Sequence, residues 1–337
     1  MKISQDTKSI TAHSLLPREV KISEPKGTKP DVSVIVVSDY AGGEQKSWDD
    51  IRKTFGRLSE QTFNGAVETL LVEHKHFVDQ IPQDLYKLIP DLVVIPSEHN
   101  ESYLMKHLGV LVARAPFTAF LDADCSPDVG WLEAGVQSLR RAPDASVCSG
   151  LTNYPNRNRL ERILSLTGRS HVCRRGEGYV TYIANNNAIY RREAYLQHPL
   201  RPEAGPFGGR LHAHELLRAG HRYYFQPAMQ VIHDFDGPGM ERDIRRSMGF
   251  ATVRMRQLDK QLPFAWFVQL GVVSIPLFFF ARLTQTWIWC LLYWHYHGVK
   301  VYELPLALVS AVRSHLYEIS GMLTAFAGKE IGESAYR

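Results

Sequence analysis

The sequence predicts an α/β fold: a doubly wound, mostly parallel, Rossmann-like sheet followed by a helical C-terminal region. Four short apolar runs before residue 122 lack the polar alternation of strands exposed on one face, which is typical of strands buried in a parallel sheet. Helical periodicity lies between the first and second runs and between the third and fourth, as doubly wound sheets require. The four runs are residues 31–38, 67–73, 92–95 and 117–121.

The segments around these runs define the other expected elements. Trp48, Ile51, Phe55 and Leu58 fall on one side of a helix over 48–61 because residues three and four apart share a helix face. Later elements are shorter, and a glycine that follows periodic residues marks a helix end. They are a helix over 103–113, a strand–turn–strand over 179–190, a short helix ending before Gly220, and strands over 223–225 and 229–233.

Composition limits the class of protein. The 337 residues are 45% hydrophobic and 22% charged, which excludes a disordered chain. A net charge of +4 is too small for a general nucleic-acid binder, so no nucleic-acid partner is expected. The cysteines have no zinc-knuckle or redox-pair spacing, which favours reduced, buried thiols in the cytosol. They are Cys125, Cys148, Cys173 and Cys290.

Changes in composition along the chain divide it into three parts. Residues 1–30 are polar and proline-containing and have no apolar core of signal-peptide type, so we interpret them as a flexible lead-in. Residues 31–238 are expected to form the main α/β domain, and a change of texture after Gly150 divides it into halves over 31–150 and 151–238. Residues 239–337 are expected to form a membrane-associated helical region. Because residues 1–30 carry no signal-peptide core, we expect the rest of the chain to stay on the cytoplasmic face.

Asp122 and Asp124 give the strongest chemical signal. They leave the end of the fourth buried strand and enter a turn, where a doubly wound sheet binds its ligand. Hard oxygen ligands at such a place suit Mg²⁺ or Mn²⁺, which neutralise the charge on a leaving diphosphate. The alternative is an acidic turn that caps a helix, since Asp is frequent in both positions.

Several segments, in order and at the right spacing, resemble the family-2 glycosyltransferases of the GT-A fold, in their membrane-associated bacterial type. The segments are VSVIVVSDY at the first strand, Gln61-Thr62, LLVE ending at Glu73, KHLG from Lys106, FLDADCSPDVGWL, ANNNAIYR from Ala184, and Ala219-Gly220 through Pro227 to His233. The likeness spans residues 31–236. It implies that residues 31–238 are the catalytic domain, with a nucleotide-binding half over 31–150 and an acceptor half over 151–238. It implies a sugar transferase that takes a nucleotide-diphosphate sugar as donor and requires a divalent metal.

The resemblance also implies roles for individual residues. The nucleotide pocket would comprise Ser38, Tyr40, Glu73, Lys106 and Asp122, and Asp122, Asp124 and His233 would hold the metal. The acceptor would contact Asn185, Asn186 and Asn187, whose amides suit sugar hydroxyls. For the three asparagines a simple turn is the alternative, and for His233 a strand-end imidazole that bonds to a loop.

One departure from the family pattern concerns the general base. The family places a Glu-Asp pair before the last helix of the domain, and here Gly208 and Gly209 occupy those positions. His212 lies one helical turn further on, and an imidazole can accept a proton near neutral pH. We therefore predict His212 as the base, with His214 and Glu215 as substitutes. The alternative is a polar helix surface in a domain that has lost its base.

The last hundred residues carry two membrane signals. Residues 240–262 combine an apolar stripe with flanking arginines, which suits either an anionic membrane surface or a helix packed on the catalytic domain. Residues 261–281 and 283–297 are uncharged runs, separated by Arg282 and rich in Trp, Phe and Tyr. A membrane span and a hairpin embedded in one leaflet both fit, with a further helix over 304–327.

Together these features predict an inverting glycosyltransferase at the cytoplasmic face of a membrane. Its acceptor would be a hydroxyl of a glycan or of a lipid-linked sugar, in surface polysaccharide synthesis. One alternative is a GT-A domain without activity that only binds nucleotide or glycan. A nucleotidyltransferase is the other, but the stretch from Ser38 to Glu44 carries two acidic residues and no Lys or Arg, which is poor for a triphosphate.

Overall fold

A computed structural model describes residues 29–38, 47–205 and 207–331 of the chain. Tyr40 and nearly all of the predicted lead-in lie outside the described residues. The strands are β1 Val32–Val37, β2 Val67–His74, β3 Val93–Ser97, β4 Phe117–Asp122, β5 Cys125–Pro127, β6 Ala145–Asn153, β7 Gly178–Val180, β8 Asn187–Arg191 and β9 Arg222–His233. The α-helices are α1 Asp49–Ser59, α2 Gln83–Leu88, α3 Ser102–Val112, α4 Trp131–Arg141, α5 Arg159–Arg169, α6 Arg192–Gln197, α7 Gly209–Arg218, α8 Pro238–Leu258, α9 Ile275–Tyr293 and α10 Leu304–Phe326.

One mixed sheet organises the catalytic part, which confirms the predicted α/β fold. Its strand order is β3-β2-β1-β4-β8-β6-β9-β5, and β7 pairs with β9. The first four strands in this order are parallel, as the buried runs predict. β8 runs antiparallel between β4 and β6, and β5 and β7 lie antiparallel to β9. The parallel arrangement is therefore limited to the nucleotide-binding half and to the β6–β9 pair.

Hydrophobic cores cover both faces of the sheet, which explains why β1 carries no polar alternation. On one face Phe55 of α1 and Trp131 of α4 pack with alternate β1 residues such as Val34. On the other face Met105 of α3 packs with Ile35. Gly109 of α3 permits this close approach, because a Cβ there would come within 2.5 Å of an Ile35 methyl carbon.

The structure contains elements that the sequence pattern did not reveal. β6 is almost entirely buried, yet it includes Ser146, Ser149, Gly150 and Thr152, so its hydrophobic pattern is weak. Gly150 lies so close to β9 that a Cβ would come within 1.8 Å of the Met229 carbonyl oxygen. Residues 223–225 and 229–233, predicted as two strands, belong to the single strand β9.

The C-terminal helices pack on the catalytic part. α8 and α10 cross closely at Gly249 and Gly321, where a Cβ would meet the backbone of the facing helix at 2.0 Å and 1.8 Å. Ile163 of α5 shares a core cluster with Cys290 of α9 and Ala307 of α10.

The apolar stripe of α8 faces inward. Met240, Ala251 and Met255 are buried, and so is the cationic side chain of Arg245. Of the two interpretations open for this segment, packing on the catalytic domain is therefore the correct one, and the stripe does not provide a membrane surface.

Apolar surface is instead concentrated on the chain after α8. Of the 23 large apolar side chains that are exposed in the described part of the chain, 17 lie within residues 264–323, and Trp266 is 59% and Val309 65% exposed. Within the described residues, Ala265–His297 is the one helical segment long and apolar enough to cross a membrane. Gly271 interrupts it with a φ of 60°, and the continuous helix α9 has 19 residues, about 28 Å.

Candidate active site

The carboxyl ends of three adjacent strands meet at one edge of the sheet. Val37 of β1 pairs with Val72 of β2 on one side and with Asp122 of β4 on the other. The residues that follow these partners, Ser38 and Glu73, are buried at that edge beside the acidic turn. Ser38 and Glu73 thus lie at the edge of the sheet that carries Asp122, because parallel strands end on the same side. Their role in a nucleotide pocket stays a prediction.

The acidic turn joins β4 to β5 and is held by the neighbouring helix. The Thr54 hydroxyl of α1 lies 2.7 Å from the Ala123 carbonyl oxygen and 2.9 Å from that of Cys125, and it donates to this pair. The register of β5 against β9 places His233 opposite Cys125. As a result, Nε2 of His233 lies 3.5 Å from an Oδ of Asp124.

Asp122, Asp124 and His233 fit a divalent metal. Their ligand atoms, with the Cys125 thiol, all lie within 4.8 Å of one another. Nδ1 of His233 lies 2.8 Å from the Asp234 carbonyl oxygen, which can only accept, so Nδ1 carries the proton and Nε2 keeps its lone pair. Burial and Arg169 lower the pKa of His233 to about 4, so the imidazole is neutral at pH 7.

Cys125 belongs to the same cluster but does not suit the same ion. Burial and the two aspartates raise the pKa of its thiol well above the ordinary value, so it stays protonated. A protonated, soft sulfur is a poor ligand for Mg²⁺ or Mn²⁺. Its Sγ lies 3.5 Å from an Asp124 Oδ, where it acts as a weak donor.

Lys106 supplies the positive charge nearest to the acidic turn. Its Nζ lies 2.7 Å from an Oδ of Asp122, and its side chain is only 3% exposed. α3 carries this ammonium to the carboxyl edge of the sheet, and its predicted place in the nucleotide pocket stays a prediction. Lys106 and Asp122 therefore form a buried ion pair at this edge of the sheet.

The three consecutive asparagines divide into two groups. Asn185 and Asn186 line the cavity next to the acidic turn. Asn187 is fully buried: its Oδ1 accepts from the Trp131 indole at 2.8 Å, and its Nδ2 donates to the Leu151 carbonyl at 2.9 Å. With its amide used inside the core, Asn187 cannot reach an acceptor, which corrects the role predicted for it.

None of the predicted base residues on α7 lines the cavity. His212 is 1% exposed and its Nε2 donates to the His198 carbonyl at 2.7 Å. His214 faces Asp259, and Glu215 forms an ion pair with Arg201 at 3.1 Å. One helical turn carries His212 away from the cavity, because only the first residues of α7 border it. The structure therefore contradicts the predicted base.

The burial of His212 indicates a packing role, which predicts an effect on the free energy of unfolding rather than on the transfer rate. Its ring lies 5.7 Å and 5.8 Å from those of Tyr190 and Tyr195, and burial lowers its pKa to about 4. We expect His212→Ala to reduce the free energy of unfolding by about 1–3 kcal/mol and to change the transfer rate per folded molecule less than about 10-fold. Denaturation and initial rates of the same preparation would test this. A rate reduced a hundredfold at unchanged stability would restore the catalytic role.

A deep cavity extends from the acidic turn to the C-terminal helices. Besides Asp122, Asp124, Lys106 and His233, its walls carry five arginines and several aromatic side chains that the sequence analysis did not assign to a site. Nothing in the local pattern of the sequence distinguishes the inward arginines of α8 from their exposed neighbours. These unassigned polar residues are Tyr103, Tyr154, Arg169, His171, Tyr182, Arg210, Arg245, Arg256 and Arg282.

The fold and the site at the carboxyl edge define a GT-A glycosyltransferase domain. The chain belongs to glycosyl transferase family 2. The model of that family matches residues 28–198, just over half of the chain. The family predicted from the sequence is thereby confirmed, while the bacterial, membrane-associated type stays a prediction.

Two known proteins resemble parts of this chain. Glycosyltransferase AglE of Haloferax volcanii is 30% identical over 117 residues, which cover 33% of this chain and 36% of that protein. The chain thus matches about a third of that relative's length. The solved structure of mannosyltransferase PcManGT from Pyrobaculum calidifontis, in complex with GDP-Man and Mn²⁺, has a TM-score of 0.61 over 90% of this chain and 89% of its own. At 14% identity this likeness shows a shared fold.

Proposed function

We propose that this protein transfers a sugar from a nucleotide-diphosphate sugar to an acceptor, with inversion at the anomeric carbon. The observation that carries the proposal is the cluster of Asp122, Asp124 and His233 at the carboxyl edge of a family-2 domain. Two hard carboxylates and a neutral imidazole suit Mg²⁺ or Mn²⁺. The presence of GDP-Man and Mn²⁺ in the structurally similar PcManGT supports the same donor class and metal for this chain.

The residues of the cluster have separate tasks in this proposal. Asp122, Asp124 and His233 hold the cation, which when bound neutralises negative charge on the departing diphosphate. Lys106 directs its ammonium to the same place, and Ser38 and Glu73 border the pocket for the nucleoside. Arg169 lies near enough to His233 to lower its pKa, so it adds positive charge at this end of the cavity.

The carboxylates of the cavity support a single displacement. A retaining enzyme that works by double displacement needs a second carboxylate as nucleophile. Among the described residues, Asp122 and Asp124 are the only carboxylates that line the cavity, and both belong to the cation cluster. The acceptor oxygen therefore attacks the anomeric carbon directly, from the side opposite to the diphosphate, and the configuration inverts.

We also propose that the protein works at a membrane, with its catalytic part on the cytoplasmic face. The exposed apolar side chains of residues 264–323 form a surface that is unusual for a soluble monomer. Met248 of α8 and Trp289 of α9 line the cavity, so α9 contributes both to the exposed apolar surface and to the wall of the site. The break at Gly271 and the ion-paired Arg282 in α9 favour a hairpin embedded in one leaflet over a straight span.

One experiment with full-length protein tests these proposals together. The protein is mixed with anionic liposomes and separated by flotation, and the floated fraction is incubated with a panel of nucleotide sugars and Mn²⁺. We expect protein in the floated fraction and release of nucleoside diphosphate from at least one donor, which excess EDTA stops. Nucleotide binding without turnover of any donor would favour a protein that only binds. Protein that stays in the aqueous fraction would contradict the membrane proposal.

A further inference from the structure

The cavity contains more positive charge than its own carboxylates balance. Arg245 and Arg282 pair with Glu318, and Arg245 also pairs with Glu241. The other three arginines of the cavity have no carboxylate within ion-pair distance in the part of the chain that the structure describes. They are Arg169, Arg210 and Arg256. Three uncompensated guanidinium groups in a cavity form a site for an anion.

These guanidinium groups are held against aromatic rings and are poorly hydrated. Arg169 lies 5.3 Å from the ring centre of Tyr154, Arg210 lies 5.2 Å from that of Tyr182, and Arg256 lies 5.3 Å from that of Phe278. Among the residues described, Arg256 donates hydrogen bonds to two backbone carbonyls, those of Thr252 and Pro263. Burial and two neighbouring arginines lower its pKa to about 9. Such an arrangement costs free energy that an anionic ligand would offset.

Two buried nitrogen atoms of cavity arginines lack a hydrogen-bond acceptor among the described residues. Nη2 of Arg245 and Nε of Arg169 are buried and have no hydrogen-bond partner among the described residues. Arg245 is only 1% exposed, and Gly168 leaves the space beside its Nη2 open, since a Cβ there would lie 3.4 Å from this nitrogen. Both side chains also line the cavity, so each of these arginines has donor capacity that the described residues leave unused.

Among the described residues, the cavity offers no carboxylate outside the cation cluster that could act as base for a neutral hydroxyl. Gly209 occupies the position where the resemblance places the Asp that acts as general base. It lies against Asn185 and Tyr103, which do not accept protons at neutral pH. His171 lines the cavity, but burial and the surrounding arginines lower its pKa well below the ordinary value. A phosphate monoester, in contrast, is already an anion at pH 7 and needs no base.

Apolar side chains occupy the wall next to the arginines. Met240, Ile244, Met248, Met255 and Trp289 line this side of the cavity, and α9, which carries Trp289, also presents Phe280 and Ile288 to the exterior. The cavity would therefore suit an amphipathic ligand, with its anionic head group among the arginines and its apolar chain along α8 and α9.

We propose that the acceptor is a lipid-linked phosphate monoester, bound through its phosphate by Arg169, Arg210 and Arg256. This inference rests on the proposed function and replaces the acceptor hydroxyl expected from the sequence. A phosphate oxygen attacks the anomeric carbon, and a new C–O bond forms as the bond from that carbon to the donor diphosphate breaks. The bonding electron pair leaves with the nucleoside diphosphate. The product is a lipid-linked glycosyl phosphodiester, and no proton has to be removed.

The test compares matched acceptors on full-length protein in liposomes with the donor found to be turned over. The acceptors are an isoprenyl monophosphate, the corresponding isoprenyl alcohol and inorganic phosphate. We expect sugar transfer to the monophosphate only. Arg210→Gln should raise the KM for the monophosphate or lower the rate roughly 10- to 100-fold, the usual worth of one charged hydrogen bond. Arg210→Lys should recover part of this loss, and nucleotide binding in Mn²⁺ should stay unchanged in both variants.

The control variant is Arg242→Gln, on the exposed face of the same helix that carries Arg245. It should transfer sugar as the wild type does. Transfer to the alcohol, without transfer to the monophosphate, would overturn the inference and leave the proposed function intact. Equal use of inorganic phosphate would overturn the lipid part alone. Failure to turn over or bind any nucleotide sugar would instead contradict the proposed function.

Discussion

Asp124→Asn is expected to reduce sugar transfer by roughly three orders of magnitude while the protein stays folded. Asp124 lies within 3.5 Å of the His233 imidazole and shares with it and Asp122 the one cation cluster found among the described residues. An amide keeps the size of the side chain but removes one anionic ligand, which weakens both cation binding and the stabilisation of the leaving diphosphate. A loss of about 4 kcal/mol in this stabilisation corresponds to that change in rate.

The matched control for this substitution is Asp128→Asn. Asp128 lies four residues further along the chain, is exposed, and makes a weak 3.5 Å ion pair with Arg57. We expect its activity to stay within a factor of two to three of wild type, as for most surface ion pairs. Rates at increasing Mn²⁺ concentrations separate weak metal binding from loss of catalysis. Wild-type rates for Asp124→Asn, or full activity in excess EDTA, would refute the assignment.

Glu318→Ala is expected to lower the free energy of unfolding by about 3–5 kcal/mol. Glu318 is fully buried between α8, α9 and α10, where it accepts from Arg282 at 2.5 Å and faces Arg245 at 3.4 Å and His315 at 3.0 Å. Without the charge of Glu318, Arg282 would lose its carboxylate partner and Arg245 would keep only Glu241. Because Arg245 and Arg282 line the cavity, sugar transfer should decrease as well.

Chemical denaturation of the detergent-solubilised protein measures this effect. The control is Glu60→Ala, which removes an exposed carboxylate whose partner Arg57 is also exposed, and should cost less than about 1 kcal/mol. If Glu318→Ala and Glu60→Ala unfold at the same denaturant concentration, the buried ion network does not hold the C-terminal helices to the catalytic part. The cavity wall formed by α8 and α9 would then need a different explanation.

The sequence predicted the nucleotide-binding half well because its strands are buried on both faces. β1 contains only buried residues, mostly Val and Ile, so its pattern admits few alternatives. β6 is equally buried but is built from small polar residues and a glycine that approaches β9, features that hydrophobic periodicity does not detect. β9 was divided in two because Gln226 and Pro227 interrupt its apolar pattern.

The site could be predicted only where sequence position fixes geometry. Asp122 and Asp124 follow a buried strand, and the β5–β9 register then brings His233 to them. The base on α7 was mispredicted because helical spacing shows which residues share a face but not which way that face points. The arginines of the cavity come from α5, α7, α8 and α9, and only tertiary packing brings them together.

The central claim is that Asp122, Asp124 and His233 hold the cation of a sugar-nucleotide site. Its most direct test is anomalous diffraction from crystals of the full-length protein grown with Mn²⁺ and a nucleoside diphosphate. The account predicts a single strong manganese peak in contact with both aspartates or with Asp124 and His233, next to the diphosphate. A manganese peak elsewhere, or a nucleoside diphosphate bound at this edge with no metal beside it, would contradict the claim.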